Sequence, residues 1–157
     1  QFNYKHPIGA VSDEMAQEHG KMIGLEYYFN SGVLWINLFK MRKLNLISEI
    51  EELTKWFKPK WHDQDLLNMV FKDNVDKLPS KFNAQINFNI KTKADAIIIH
   101  FSGRAKPWKN NVVYPLAWQY VFFLLKTPYK SNAIRQLALK SPYYVLDLFK
   151  RVKNRLV

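Results

Sequence analysis

At 157 residues, with 48% hydrophobic and 24% charged positions, the chain has the makeup of one ordinary globular domain, and it contains no repeat or low-complexity tract. The absence of cysteine excludes disulfides and thiolate metal sites, and no apolar run approaches the roughly 18 residues that a membrane-spanning helix needs. The formal net charge of +11 is lopsided: up to Phe101 there are 13 Lys+Arg against 12 Asp+Glu, and from Ser102 onward 11 against the single Asp147. A field this one-sided favours an anionic partner: a phosphorylated sugar, an anionic lipid surface or nucleic acid.

Residues 1–26 carry a weak signal. Ser12 to Gly20 suits a short helix, with Ser12 or Asp13 as cap and Gly20 as stop. The apolar run Val33 to Ile36 predicts a buried strand, with Gly32 allowing close backbone approach to a ligand or simply making a turn. From Leu44 to Phe57 apolar residues recur every three or four positions, which predicts an amphipathic helix ending before Pro59. A second helix is expected over Trp61 to Lys72. Asp63, Gln64 and Asp65 cluster at its start, where acidic residues are also ordinary first-turn charges. Leu78 to Ile90 reads as loop and short irregular strand. Ala96 to Ile99 is a short β-branched run ending in His100, and a glycine turn follows at Gly103. Beyond residue 112 the chain reads as mainly helical, over Leu116 to Lys126, Ser131 to Leu139 and a final stretch from Val145. In that last stretch Phe149, Val152 and Leu156 line one face, and Lys150, Arg151, Lys153 and Arg155 the other. Such a helix is either interfacial or packed on the body with a solvated basic face. The five glycines are too few, and wrongly spaced, for a nucleotide site built from a glycine-rich loop.

His100 at a strand end, Gly103 in the turn and Lys106 beyond it are residue types that suit a metal and a phosphate. They equally suit a satisfied histidine, a turn glycine and a solvated lysine. HFSGRAKPW, His100 to Trp108, resembles the His-x-x-Gly-x-x-Lys-Pro-Trp signature of retaining glycosyltransferases of the family-8 type, a group that includes lipopolysaccharide galactosyl- and glucosyltransferases. YFNSGVLWINL, Tyr28 to Leu38, and HDQDLLNMVF, His62 to Phe71, resemble two further blocks of that family, and LPSKFN, Leu78 to Asn83, a fourth. The four stand in the family's order.

The resemblance implies an α/β chain: the C-terminal portion of a GT-A-like nucleotide-diphospho-sugar transferase fold, with a mainly helical C-terminal extension. Residues 1–111 would be a partial catalytic domain and 112–157 a basic, aromatic extension. It implies that His100 is a metal ligand, for Mn2+ or Mg2+, and that Asn30, Gly103 and Lys106 bind the donor, UDP-glucose or UDP-galactose. Gln64 and Asp63 would act at the reacting sugar. The partner implied is a glycolipid or oligosaccharide acceptor; the charge split and the C-terminal basic helix add the expectation of an anionic membrane surface, on the cytoplasmic, inner face of the membrane. The Asp-x-Asp pair that completes the family's metal set is absent upstream of Tyr28. With no initiator methionine at Gln1, the expectation is a C-terminal piece of a longer, enzymatically active parent, itself inactive without the N-terminal half. Two other classes remain compatible with the residues: a non-catalytic membrane or protein interaction module, and a basic nucleic-acid-binding domain.

Overall fold

The computed structural model describes residues 5–86, 95–104, 106–109, 117–136, 138 and 142. They fall into two compact units, Gln1–Asn83 with Asp95–Ile98, and Ala84–Ala94 with Ile99–Val157.

The first unit is built on β1 (Ile8–Ser12), IGAVS, in which four of five residues are buried. Its small side chains let neighbours close in: a Cβ on Gly9 would meet Leu78 at 3.3 Å. β2 (Phe29–Ile36) lies antiparallel on one side and β3 (Val75–Lys77) parallel on the other, giving the order β2-β1-β3. Ala10 pairs with Leu34 but Ser12 pairs with Phe29. Val11 therefore faces residues 30–33 in a bulge that turns Asn30 and Ser31 out of the ladder. Around the sheet run α1 (Gln17–Met22), the short α2 (Leu38–Met41), α3 (Leu46–Thr54) and α4 (His62–Val70). Ile8, Ala10, Phe29 and Phe71 form the buried centre, with Leu34, Leu44, Leu46, Leu67 and Val75 packed around it.

The second unit pairs β4 (Ala84–Gln85) in parallel with β5 (Ile99–His100). A loop carrying buried Pro107 follows, then α5 (Ala117–Leu125) and a helical stretch at 130–136.

Helices α3, α4 and α5 fall inside their predicted ranges. Four expectations need correction. The run Val33 to Ile36 is not an interior strand: β2 is at an edge of the described sheet, its buried residues are Phe29 and Asn30, and Ile36 is exposed. The run Ala96 to Ile99 contributes a two-residue strand, and Ile97 is exposed. Both runs are apolar enough for burial, but two-layer coverage is what would make them buried. Ser12 ends β1 and Asp13 follows it, so neither caps a helix, and α1 starts only at Gln17. Ile47, on the expected apolar face of α3, is 74% exposed, because Leu46, Ile50 and Leu53 are the residues that helix turns inward. The predicted basic helix from Val145 lies outside the described residues.

Candidate functional site

Asp13 stands just beyond the C-terminal end of β1, where α/β sheets hold their ligands. Its Oδ2 accepts hydrogen bonds from Asn30 Nδ2 and Gln64 Nε2, both at 3.0 Å, and its Oδ1 accepts from the Met15 N–H at 3.2 Å. Asn30 Oδ1 in turn accepts from Asn83 Nδ2 at 3.0 Å and from the Gly32 N–H at 3.0 Å. Asp13, Asn30 and Asn83 are buried, and Gln64 is half-buried at the rim. Four polar side chains from four segments thus satisfy one another, which fixes each in a single rotamer. Gln64 Oε1 accepts from Asn30 Nδ2 and the Ser31 N–H, both at 3.2 Å, while the Ser31 hydroxyl donates to Asp63 at 3.1 Å. The rim is consequently a row of oxygens, from the Asp63 carboxylate, the Ser31 hydroxyl and the Gln64 carboxamide. Such a row can accept hydrogen bonds from sugar hydroxyls, and an oriented carboxamide oxygen can stabilise positive charge developing on a carbon.

The rim is held from below by α4. His62, immediately before Asp63, takes a left-handed φ of 45°, a strained conformation for a non-glycine residue. What over-determines it is Asp65, fully buried. That carboxylate accepts from the Lys60 N–H at 2.7 Å and the Trp61 N–H at 2.9 Å, from the Tyr28 hydroxyl at 2.5 Å, and pairs with His19 Nε2 at 2.8 Å. Burial alone would raise its pKa, but the bonds from Tyr28, Trp61, His19 and Lys60 outweigh it and hold the carboxyl below the usual range. Tyr28 is pushed the other way, first by burial and then by that same bond to Asp65. Asn68, one turn on, donates to the Phe29 carbonyl and accepts the Phe29 N–H, both at 2.8 Å, so its side chain pairs with β2 as a strand would.

The other residues implicated by the resemblance lie in the second unit. His100 is half-buried on β5, in register with Gln85. Gly103 is exposed, with φ +76° and open space around its missing Cβ, and the positive φ explains the glycine. Lys106 folds back so that Nζ donates to the Phe101 carbonyl at 2.6 Å, one residue beyond His100. The predicted residues therefore form two groups: Asn30, Asp63 and Gln64 in the first unit, and His100, Gly103 and Lys106 in the second.

Glycosyl transferase family 8 matches residues 1–112 of the chain. The chain belongs to that family. Among its relatives is the lipopolysaccharide 1,2-glucosyltransferase of Escherichia coli K12, 29% identical over 147 residues, covering 85% of this chain and 42% of that protein. The solved galactosyltransferase LgtC, in complex with donor and acceptor sugar analogues, superposes with a TM-score of 0.70 at 26% identity, over 78% of this chain and 52% of that one. LgtC solved as an active-site glutamine-to-glutamate mutant superposes at 0.63 and 27% identity, over 74% of this chain and 51% of that one. The family-8 chain thus has a GT-A-like mixed α/β fold, and it spans about half the length of the relatives it matches.

A divalent Mn2+ or Mg2+ needs several hard oxygen donors. Among the described residues no three His, Asp or Glu side chains gather where they could hold a metal ion. Asp13, the carboxylate bonded to Gln64, is already committed to two carboxamides. The described residues do not make the family's metal set. Asp13, Ser31 and Asn83 were not singled out as site residues in the sequence. Ser31 and Asn83 sit inside the family-like blocks, which was the available signal, whereas Asp13 reads in the sequence as a helix cap.

Proposed function

We propose that the chain is the sugar-facing, C-terminal part of a retaining hexosyltransferase that moves glucose or galactose from a UDP-sugar to lipopolysaccharide or another glycan. The observation that carries this reading is the Asp13–Asn30–Gln64–Asn83 network, which fixes a carboxamide beside a row of oxygens at the end of the central strand. In this reading Gln64 faces the anomeric carbon and lends its oxygen dipole to the oxocarbenium-like centre, while Asp63 accepts from a sugar hydroxyl. Asn30 orients Gln64 and contributes to the donor site. Gly103 and Lys106 meet the diphosphate, Lys106 exchanging the Phe101 carbonyl for a phosphate oxygen. The active-site glutamine of LgtC supports the role given to Gln64.

Of the metal donors His100 is the one this chain brings, and the carboxylates would be supplied by the N-terminal half of the catalytic domain, without which residues 1–157 are inactive. A metal held in that way would supply neutralisation of the leaving diphosphate. Residues 112–157 form a basic extension to the 1–111 catalytic part and set the protein on the inner, cytoplasmic face of a membrane. The test is transfer by the full-length protein from UDP-glucose and UDP-galactose to a lipopolysaccharide acceptor, with the product anomer read by NMR. Retention of configuration, and loss of transfer in His100→Ala, is the expected result. Transfer that is unchanged in both His100→Ala and Lys106→Ala contradicts the assignment.

A further inference from the structure

The second unit holds a cavity of about 400 Å³ lined in part by Trp108, Tyr120, Tyr129, Asn132, Arg135 and Gln136. None of these belongs to either group of site residues. Trp108 is 51% exposed and Tyr129 66%, so the aromatic walls are open to a ligand. The ring centroids of Trp108 and Tyr120 lie 5.8 Å apart at 47°, a corner rather than a stack. The corner is held in place from behind. Buried Gln136 donates Nε2–H to the Trp108 carbonyl at 2.9 Å, tying the 130–136 helix to the loop, and buried Val121 and Ala133 anchor the two helices.

The polar side of the cavity is cationic. Arg135 is exposed and enters no ion pair among the described residues. Its unit offers it almost no carboxylate: the two units contain 11 Lys+Arg against 12 Asp+Glu and 13 against one, which together make the chain's 24 and 13. A guanidinium with a neighbouring carboxamide, Asn132, is a fork for a phosphate, and aromatic faces set at a corner cover the apolar side of a ring. The volume lies within the range of small-ligand pockets.

We propose that this cavity takes a phosphorylated hexose, an anionic sugar unit of the acceptor glycan, through Arg135 and Asn132 on the phosphate and Trp108, Tyr120 and Tyr129 on the ring. Naming the occupant as part of the acceptor rests on the transferase reading; the cavity and its chemistry do not. The experiment is calorimetric titration of the full chain with glucose 6-phosphate, glucose and inorganic phosphate, with no donor present. The sugar phosphate binds at least about tenfold more tightly than either fragment, since both walls contribute. Arg135→Gln weakens it at least about tenfold, as removal of a charged hydrogen-bond partner does. Tyr129→Ala, at an exposed position that does not threaten folding, weakens it several-fold. Lys130→Gln, an exposed charge outside the lining, leaves it unchanged. Equal binding of inorganic phosphate, or equal loss in Lys130→Gln and Arg135→Gln, overturns the proposal in favour of a diffuse basic field. Because no transfer is measured, failure here leaves the transferase reading standing, and an inactive full-length protein leaves this binding result standing.

Discussion

Asp13 is buried, enters no ion pair among the described residues, and is stabilised by two carboxamides and one backbone N–H. That arrangement makes the charge of its neighbours critical. Gln64→Glu replaces a donor at 3.0 Å with a second acceptor, and two carboxylates at that spacing cannot both ionise cheaply. The variant is expected to lose roughly 2 kcal/mol of stability at pH 7. One pKa of the pair is raised, so the loss shrinks as pH falls through that raised value. Urea melts at pH 7 and pH 5 check it; equal losses at both would argue against the network. Asp65 behaves in the opposite sense. Its folded carboxyl lies below the unfolded value of about 4, so its contribution is present above that value and is lost as pH falls through the folded one. Asp65→Asn keeps the shape but cannot accept four hydrogen bonds. It is expected to cost roughly 2–3 kcal/mol at neutral pH and to flatten the acid limb of the stability profile.

Helix α1 reaches the sheet through a glycine. A Cβ at Gly20 would stand 2.6 Å from the Tyr28 Cβ, a rigid neighbour. Gly20→Ala therefore destabilises by about 1–3 kcal/mol through overpacking, although alanine is the better helix former by about 1 kcal/mol. A rise in melting temperature would show that α1 can shift outward. The helices were the legible elements because a stripe such as Leu44, Ile50, Leu53 and Phe57 repeats over several turns. β1 was not legible. Its residues, IGAVS, are mostly small and give no alternation, since a central strand is buried on both faces. The apolar run in β2 misled in the other direction: Val33 to Ile36 is at an edge, and the polar Asn30 is the more buried residue. Burial there follows from the bulge and from Asn68 on α4, both long-range features that no local window contains.

Over the whole molecule, the division into two units sharpens the charge asymmetry seen in the sequence, from a near-neutral first unit to a second with 13 basic residues and one acidic one. Among the described residues no helix is long and apolar enough to cross a membrane. The basic stretch Lys150, Arg151, Lys153 and Arg155 lies outside the described residues. With about 1 kcal/mol for each basic side chain at an anionic surface, its proposed attachment is reversible. Co-sedimentation with anionic vesicles is expected to exceed that with neutral ones and to drop when residues 145–157 are deleted. Equal sedimentation with both vesicle types contradicts it. The candidate site was legible as residue types and order, from Asn30 to Lys106. The hub joining them was not, because Asp13 acquires its role from three partners 17, 51 and 2 residues away.

In the proposed function Gln64 acts at the reacting sugar while its neighbours hold it. Steady-state transfer by the full-length protein, comparing Gln64→Ala and Asn30→Ala with the exposed control Trp56→Ala, tests this most directly. Gln64→Ala is expected to lower kcat by about 100-fold or more with KM for the UDP-sugar little changed, as loss of an interaction made in the transition state does. Asn30→Ala is expected to lower kcat and raise KM together, and Trp56→Ala to change neither. A Gln64→Ala protein that is folded and turns over at the wild-type kcat would contradict that role for Gln64.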